Sequence, residues 1–502
     1  MADSSVTNKE SMEPQPIMET VPLDDVTERN TQQPEVLVPE EIPEETPENL
    51  TSSDVGGISP PPLSDEGMFE SEGNKKKYLF IILGIIGGLT IFFVIFGAIF
   101  NLLRGKSNEK ITLEYWGLWE DENVMKTVIA DYKRVKPNIT VNYVPREHTD
   151  YRLKVVTRIK EGAGPDIFRF HNTWLPSIID ISAPLSPSVM SKEEYDKTFY
   201  EVIRNDLKVG DSYYGIALGI DGLVLVYNNS MFKQAGITSK PQTWDDLVKD
   251  ADKLRVEDSQ GLVTAGIALG TANNIEHFSD ILGWMLLQNG ASIKNLAAPE
   301  AVEVLSNYRQ FAEPQLNMWN GQMPKDVNAF IQGKVGMIIV PSWHILNIKK
   351  ANAELDVKVV PLPKLPGSSP IGLASYWVEG VSKASKHQEE AWEFLKFLSS
   401  KDVMTKLYQE QTKVRLFGVP YSRVDLRDTL IQNEYIGPVL EQAPYMKSMP
   451  VSARTFDQGL DDEIIGYLRN AVEATEKGVS YEEAFKTASA GVSQVLTKHN
   501  IQ

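Results

Sequence analysis

The sequence predicts an α/β fold divided into two lobes, preceded by a disordered tail and one transmembrane helix. Strand-like runs alternate with amphipathic helical stretches from residue 111 onward, a pattern typical of sheets covered by helices on both faces. This part has about 390 residues, more than one hydrophobic core commonly holds, so two lobes are expected. Composition also changes sharply along the chain, which separates the tail and the transmembrane segment from the lobes.

The first segment, residues 1–74, has 18 acidic and 2 basic side chains, 10 of the 29 prolines and a single aromatic residue, Phe69. A segment so charged and so poor in large apolar side chains buries too little surface to offset the entropy lost on ordering. We therefore expect a disordered acidic tail, acting as a solvated spacer or as a docking segment.

The second segment, residues 75–106, contains an uncharged run from Tyr78 to Leu103. Its 26 residues would extend about 39 Å as a helix, which is enough to cross a bilayer with some tilt. The run begins too far from the N-terminus, and is too long, for a cleaved signal peptide. The pattern predicts a permanent single-pass anchor, although lysines and arginines flank both ends and leave its direction open.

The third segment, residues 108–502, carries the alternating pattern. Its predicted strands are the runs ITLEY at 111, ITVNYV at 139, DIFRF at 166, LVLVY at 223, VGMIIV at 335 and VKVV at 357. Pro341 cannot continue a strand ladder and Gly236 is a plausible helix stop.

Helix starts are marked by residues that favour N-caps. After the first strand, apolar residues at helical spacing predict one buried face, made by Val124, Val128, Ile129, Tyr132 and Val135. Capping boxes predict three further helix starts, with the pairs Thr243 and Asp246, Ser385 and Gln388, and Ser480 and Glu483.

Composition excludes several functional classes. A formal charge of −18 argues against nucleic acid as the partner, since phosphate neutralisation needs a basic face. The absence of cysteine excludes disulfides, thiolate metal sites and a lipidated cysteine anchor. Six histidines leave few ligands for a transition-metal site, so neither a metal nor a cofactor is predicted. No nucleophile elbow, HExxH, P-loop or dinucleotide fingerprint occurs, so no enzyme is predicted.

The nine tryptophans suggest a binding site instead. Trp244 and Trp392 fall in predicted amphipathic helices and are expected in the core. Six others lie at strand ends or in connecting segments: Trp116, Trp119, Trp174, Trp284, Trp343 and Trp377. Ligands of open α/β sheets bind outside the carboxyl ends of the strands, and an indole face suits the C–H face of a sugar ring. The tryptophans therefore predict a carbohydrate cleft.

Five segments resemble, in order, the family 1 extracellular solute-binding proteins, the maltose-binding-protein-like sugar receptors of ABC importers. They are PDIF at 165, YGIALGIDGLVLVYNNSMFKQAGI at 214, PxTWDDL at 241, FxxGKVGMII at 330 and SYWVEGVSKASKHQEEAWEFLKFLSS at 375. The resemblance covers about residues 111–500. It implies a type II periplasmic-binding-protein-like fold that closes on its solute by hinge motion. It divides the domain into lobe 1, about 108–218 and 376–418, and lobe 2, about 222–372 and 420–502.

The resemblance also implies the residues that contact the solute. Ligand-binding positions carried over from the family are Trp116, Glu120, Asn172, Trp174, Asp221, Asn274, Glu276, Trp284, Trp343, Tyr376, Trp377 and Phe456. Of these, Asp221 and Tyr376 would lie at the two crossings between lobes, and Trp343 would stack on the sugar. The partners implied are a sugar or oligosaccharide and the permease subunits of an ABC transporter.

Two features depart from the family. Its members are commonly secreted or held by a lipidated cysteine, whereas here an apolar run at 78–103 follows an acidic tail. An anchored receptor is therefore expected, with the tail cytoplasmic and the lobes extracellular or periplasmic. The crossing reads ALGID in place of a more frequent form with proline, which affects the expected hinge rather than the sheets.

Other functions stay open at this point. The same fold would serve an anchored sensor or adhesin that binds a surface polymer, or a receptor for a polyamine or ferric ion; adjacent Tyr213 and Tyr214 superficially suggest iron. A glycosidase would need paired carboxylates, for which Asp166, Asp221 and Glu276 are candidates among 68 acidic residues.

Overall fold

The computed structural model describes residues 109–499 and residue 501. The predicted acidic tail at 1–74 and the predicted anchor at 75–106, with its span 78–103, lie outside the described residues. Among the helices that the structure describes, none combines the length and the apolar character needed to cross a membrane.

The described chain contains strands of two larger sheets and two short ribbons. In chain order the strands are β1 (Ile111–Gly117), β2 (Ile139–Pro145), β3 (Ile167–His171), β4 (Lys208–Val209), β5 (Ser212–Tyr213), β6 (Leu223–Asn228), β7 (Val256–Asp258), β8 (Gly261–Ile267), β9 (Val335–Pro341), β10 (Val357–Val360), β11 (Gly372–Leu373), β12 (Trp377–Val381) and β13 (Met446–Lys447).

The first sheet has the order β12-β3-β1-β2. Strands β1, β2 and β3 are parallel, so their carboxyl ends share one edge. Strand β12 runs antiparallel to β3 and pairs Trp377 with His171, which places the start of β12 at the same edge. Buried residues alternate with more exposed ones along β1 and β2, because successive side chains of a strand point to opposite faces of the sheet.

The second sheet has the order β10-β6-β9-β8-β7. Its central strand β9 is buried at every position, which matches the apolar run that predicted it. Strands β8 and β9 are parallel, whereas β6 is antiparallel to β9 and pairs Leu223 with Pro341. The start of β6 and the ends of β8 and β9 therefore lie at one edge.

Helices cover both sheets. They are α1 (Glu122–Val135), α2 (Tyr151–Lys160), α3 (Leu175–Ile178), α4 (Lys192–Thr198), α5 (Glu201–Asp206), α6 (Asn229–Gln234), α7 (Trp244–Leu254), α8 (Phe278–Gln288), α9 (Pro299–Gln310), α10 (Asp326–Ile331), α11 (His344–Ala351), α12 (Gln388–Leu398), α13 (Lys401–Val414), α14 (Arg427–Leu430), α15 (Gly437–Gln442), α16 (Leu460–Glu476) and α17 (Tyr481–Lys498). The α/β two-lobed architecture expected from the alternating pattern is thus observed, with one sheet in each lobe.

The chain passes between the two sheets near residues 216–222, 374–376 and 419–421. These segments pair with one another: Gly222 bridges Ala374, and Gly219 bridges Tyr421. A Cβ on Gly222 would lie 2.1 Å from the carbonyl oxygen of Leu373. This glycine therefore permits the close approach of two backbones at the crossing.

Local predictions about helix ends are confirmed at two places. Thr243 and Asp246 form a capping box at the start of α7, with both reciprocal hydrogen bonds present. Gly236 follows the end of α6 and adopts a φ of +66°, the left-handed conformation that ends many helices.

Two other local predictions are wrong. Helix α12 begins at Gln388 with His387 as its N-cap, because the hydroxyl of Ser385 is engaged by the Asp166 carboxylate and the His387 amide. Val135, predicted on the buried face of α1, is exposed, since it is the last residue of that helix.

Candidate functional site

The edges of the two sheets carry the loops in which the tryptophan pattern predicts a cleft. In the first sheet these are the loop after β1, the loop after β2, the turn after β3 and the start of β12. In the second sheet they are the segments after β8 and β9. The chain crosses between the sheets beside Asp221, whose backbone carbonyl accepts a hydrogen bond from Ser375. Sheet order thus gathers loops that are distant in sequence.

Three aromatic side chains stand out to solvent. Among the exposed large hydrophobic residues of the described part, the aromatic ones are Trp119 (55% exposed), Trp343 (42%) and Phe456 (66%). Trp119 follows β1, Trp343 follows β9, and Phe456 lies in the segment before α16. Exposed aromatic faces of this size are unfavourable in water and mark surfaces that bind a ligand or a partner.

Two of the three are held in a strained backbone. Trp119 has a φ of +67° and Phe456 a φ of +57°, both in the left-handed region that bulky residues rarely adopt. Such a conformation costs on the order of 1–3 kcal/mol and is concentrated at functional sites. The ring of His148 links them, with its centroid 4.8 Å from that of Trp119 and 6.3 Å from that of Phe456.

Behind these rings lies a second layer of aromatic groups. Trp377 is half-buried, with its ring 6.1 Å from Trp119 and 5.4 Å from Trp174, which it meets edge-on. Trp174 and His171 are buried. Burial lowers the pKa of His171 to about 3, so this imidazole is neutral near pH 7. Trp377 therefore reaches the edge of the cleft, whereas Trp174 supports it from below.

On the second sheet, Trp343 lies on a buried histidine pair. Its ring stacks on His344 at a centroid distance of 3.7 Å and an angle of 26°. His344 in turn contacts His277, with 2.8 Å between the two Nε2 atoms. Stacking fixes the plane of the exposed indole, so one face of Trp343 is presented to solvent in a defined direction.

Polar groups lie beside these rings at the crossing and after β8. Asp221 accepts hydrogen bonds from the backbone amides of Gly222 and Ser342, which fixes the carboxylate next to Trp343. Desolvation raises the pKa of Asp221 to about 6 in spite of those bonds. Glu276, after β8, keeps 48% of its side chain exposed.

Three predicted contacts are instead engaged within the protein. Glu120 is buried and accepts from the side chains of Gln411 and Arg415. The Asn172 amide donates to Asp206, and the Tyr376 hydroxyl donates to the same carboxylate at 2.7 Å. These residues lie at the expected strand end and crossing, where they position the loops.

Two further predicted contacts, Trp284 and Asn274, are buried in the interior of the protein. Trp284 is fully buried within α8, stacks on Trp244 and donates its indole N–H to the backbone carbonyl of Ile371. Asn274 is buried and donates to the carbonyls of Asn320 and Met323.

Trp116 is half-buried near the end of β1, and the guanidinium of Arg146 covers its ring at 3.9 Å. The structure thus leaves Trp343 and Phe456 exposed and Asp221 and Trp377 partly exposed, and it buries or covers Trp116, Asn274 and Trp284.

Trp119 and His148 are the clearest residues missed by the sequence-based site. Trp119 was recognisable as a tryptophan soon after a strand, but the family resemblance selected Trp116 and Glu120 in the same loop. A positive φ at a tryptophan has no signature in a single sequence. His148 lies in the loop after β2, where no motif marks it.

The chemistry of this surface is that of binding. Flat apolar faces stand beside hydrogen-bonding groups, and the segment 446–461 contacts the end of β3, where Asn172 donates to Ser448 and Thr173 donates to Asp461. Among the described residues, one group has the donor types of a metal site, namely Glu276, His277 and His344.

Comparison with protein families gives a match to bacterial extracellular solute-binding protein over residues 118–405, which is more than half of the chain. The match begins directly after β1 and covers β2, β3 and β12 of the first sheet, the first two crossings and all strands of the second sheet.

Individual relatives agree with this family. A putative binding protein of Brucella abortus is 25% identical over 389 residues, covering 75% of this chain and 90% of its own length. The multiple sugar-binding protein of Streptococcus mutans is 23% identical over 343 residues, covering 65% and 80%. Among solved structures, the sugar-binding protein MalE of Xanthomonas citri has a TM-score of 0.65 at 19% identity, covering 78% of this chain and 98% of that one. At that identity the structural likeness shows the fold.

Proposed function

The chain belongs to the family of bacterial extracellular solute-binding proteins, and from this premise we propose that it is a membrane-anchored receptor that binds a carbohydrate between its lobes. The observation that carries the proposal is the set of exposed aromatic rings at the loop-bearing ends of the two sheets: Trp119 after β1, with Phe456 near it through His148, and Trp343 after β9.

Sugar rings suit this arrangement for a physical reason. The axial C–H groups of a pyranose form an apolar face that packs on an indole, while its hydroxyls need donors and acceptors at the rim. Asp221 and Glu276 offer carboxylate oxygens beside Trp343. Two rings on opposite lobes would sandwich a solute only after closure, which links binding to hinge motion.

The names of similar proteins support the same ligand class. The relative from Streptococcus mutans is a multiple sugar-binding protein and the structural neighbour from Xanthomonas citri is a sugar-binding protein. Family and fold are those of binding proteins rather than enzymes. Of the three carboxylates that a glycosidase could use, Asp166 is engaged before β3, where it accepts from the backbone amide of Glu114 and from the Ser385 hydroxyl.

Anchoring and delivery complete the proposal. The apolar run at 78–103 would hold the receptor at the cell membrane, with residues 1–74 in the cytoplasm and residues 108–502 outside. There the loaded receptor would hand its solute to the permease subunits of an ABC transporter. The lobe boundaries proposed are about 108–218 with 376–418, and about 222–372 with 420–502.

The test is a thermal-shift and titration screen of the full chain with mono- and oligosaccharides, with ferric citrate and spermidine as alternative solutes. A ligand at 100 times its dissociation constant adds about 2.7 kcal/mol to the stability of the native state, which a melting curve resolves. We expect one saccharide class to raise the melting temperature. A response to spermidine or ferric citrate alone would overturn the sugar assignment.

The same titration tests the site. Trp343→Ala is expected to weaken saccharide binding about tenfold or more, because an exposed stacking face is lost while the core is untouched. Trp377→Ala is expected to weaken it as well, with circular dichroism to verify folding. Val135→Ala, at an exposed apolar position at the end of α1, is the control and should leave affinity unchanged. Unaltered affinity in both tryptophan variants would contradict the site.

A further inference from the structure

Two of the six histidines, His277 and His344, meet beneath the exposed ring of Trp343. His277 precedes α8 and His344 begins α11, so the segments after β8 and β9 bring them together. Both side chains are buried. Their Nε2 atoms lie 2.8 Å apart, and Oε1 of Glu276 lies 3.8 Å from Nε2 of His344.

The hydrogen bonds around His277 determine which nitrogen carries its proton. Its Nδ1 lies 3.2 Å from Oδ2 of the buried Asp280, which is itself bound by Arg454 at 2.7 Å. Because a carboxylate only accepts, Nδ1 of His277 is the protonated nitrogen. Its Nε2 therefore offers a lone pair, aimed at His344 and at the opening where Glu276 lies.

His344 has no arrangement that satisfies both of its nitrogens within the described residues. Its Nδ1 is buried without a hydrogen-bond partner. If the proton is on Nδ1, two lone pairs face each other at 2.8 Å. If it is on Nε2, the contact with His277 is a hydrogen bond, but Nδ1 is a desolvated acceptor without a donor. A cation bound by both Nε2 atoms would remove the repulsion between the two lone pairs in the first arrangement.

From this geometry we infer that Glu276, His277 and His344 form a binding site for one divalent transition-metal ion of the Zn²⁺ class. Imidazole nitrogens and one carboxylate are a common donor set for such ions. Bonds of 2.0–2.2 Å at tetrahedral angles separate ligand atoms by about 3.3 Å. The three donor atoms here lie within 4.8 Å of one another, and rotation of the half-exposed Glu276 side chain closes the largest gap.

The surroundings fit such an ion. Asp280 holds His277 as carboxylates commonly hold a metal-binding histidine, through the nitrogen that does not face the metal. Arg454 brings a positive charge nearby, but Asp280 pairs with it. The buried carboxylate of Asp326 accepts from the Glu276 amide and adds negative charge on the other side. A fourth coordination position would face the cleft next to Trp343, on the side where Glu276 is exposed.

This inference does not rest on the identity of the solute, so its test contains no saccharide. The full chain, prepared without a polyhistidine tag and treated with chelator, is titrated with ZnCl₂ by calorimetry and by equilibrium dialysis with metal analysis. We expect a site of one Zn²⁺ per chain that Mg²⁺ does not fill, since Mg²⁺ requires oxygen ligands.

Variants separate this site from weak binding elsewhere on an acidic protein. Glu276→Gln keeps the shape of a half-exposed side chain, and we expect it to weaken the one-to-one binding at least tenfold. Glu434→Gln is the matched control, because its side chain is 55% exposed and lies on another surface beside Lys358. His344→Gln should abolish the tight site in a chain whose circular dichroism is unchanged.

Two results would overturn the inference. One is the absence of a one-to-one Zn²⁺ site in the wild-type chain. The other is a Zn²⁺ affinity that neither Glu276→Gln nor His344→Gln changes, which would place the bound ion elsewhere. Loss of saccharide binding in separate experiments would bear on the proposed function and leave this result unaffected.

Discussion

Trp119 has a backbone conformation and a solvent exposure that do not stabilise the folded state. Its φ of +67° costs backbone energy, and more than half of its surface is exposed to water. Neither feature stabilises the native state. Both position an indole above His148 and beside Trp377, at the edge where we propose that a sugar binds.

The left-handed backbone at Trp119 allows a prediction about the stability of its variants. At Trp119, a glycine variant is expected to be more stable than an alanine variant by about 1 kcal/mol, because glycine has no Cβ to clash at positive φ. Denaturant unfolding of Trp119→Gly and Trp119→Ala measures the difference. Both variants should lose saccharide affinity.

The control is a position at which alanine, rather than glycine, is expected to be the more stable residue. Ala130 is exposed in the interior of α1, where Ala130→Gly should cost about 1 kcal/mol. Equal stability of the two Trp119 variants would contradict the strained backbone.

A second residue-scale effect concerns a buried acid between the lobes. Asp461, at the start of α16, accepts hydrogen bonds from the Thr173 hydroxyl and from the amides of Ser452 and Ala453. Desolvation raises its pKa from the ordinary value of 3.8 to about 7, and the adjacent Asp462 adds to the shift. The folded protein therefore keeps this proton up to nearly neutral pH.

The sign of the pH dependence follows. Between pH 4 and 7 the unfolded chain has released the proton and the folded chain has not, so the free energy of unfolding falls as pH rises. Asp461→Asn removes this contribution. Between pH 5 and 7.5 the wild type should lose about 2–3 kcal/mol more than the variant, measured by denaturant unfolding at both values.

Other buried acids will also make the free energy of unfolding depend on pH. The wild type is therefore compared with single variants under the same conditions. Asp428→Asn, at a carboxylate exposed to solvent, should follow the wild type. A wild-type slope equal to that of Asp461→Asn would show that Asp461 is ionised in the native state at pH 5.

Individual residues also show which side-chain environments could not be predicted from the sequence. Trp343 was predicted from its place after a strand and is exposed there. Trp284 has the same residue type, but Trp244 of α7 stacks on its ring and the carbonyl of Ile371 accepts from its indole N–H, and periodicity does not reveal such neighbours. His277 and His344 are 67 positions apart and meet only because β8 and β9 are adjacent.

At the scale of elements, the apolar runs predicted the strands well. The runs at 111, 139, 335 and 357 correspond to β1, β2, β9 and β10, and the capping box of α7 is present. The antiparallel strand β12 was not predicted, because its residues were read only as part of a family segment. Strands β7 and β8 were also missed, since much of their length is exposed and carries no apolar alternation.

The crossings supply an element-scale prediction. Gly222→Ala is expected to destabilise the protein by about 1–3 kcal/mol, because its Cβ would meet the carbonyl of Leu373 at 2.1 Å and neither backbone is free to move. Thermal and denaturant unfolding of the full chain measure the loss.

A helix glycine provides the matched control. Gly466 lies inside α16, and a Cβ there would meet nothing within 4 Å. Gly466→Ala should therefore raise stability by up to about 1 kcal/mol through helix propensity. If Gly222→Ala were equally stabilising, the crossing segments would not be as closely packed as the structure has them.

At the scale of the whole molecule, the two sheets are tied by segments of high sequence separation. Asp457 binds Arg152 and the amide of Leu153 in the first lobe, although it follows the second sheet in the chain. The two-lobed architecture was predictable from length and alternation. The C-terminal segment that ties the lobes was not, because no local pattern records contacts 300 residues apart.

The proposed attachment to the membrane depends on residues 78–103. Residues 78–103 are uncharged and long enough to cross the hydrocarbon core, and each charged residue at its centre would cost about 3 kcal/mol. We expect the full chain to remain in the membrane fraction after a high-salt wash. A chain lacking 78–103 should move to the soluble fraction, because no comparable apolar run remains.

A deletion of equal length in the acidic tail separates attachment from mere truncation. A chain lacking residues 10–35 keeps the apolar run and should stay in the membrane fraction. In intact cells, added protease should digest residues 109–502 of the full chain if the lobes face outward. Soluble full-length chain would contradict anchoring, whereas membrane-bound chain whose lobes resist protease until lysis would keep the anchor and reverse its direction. The second outcome would also exclude capture of an extracellular solute, because the cleft between Trp119 and Trp343 would then face the cytoplasm.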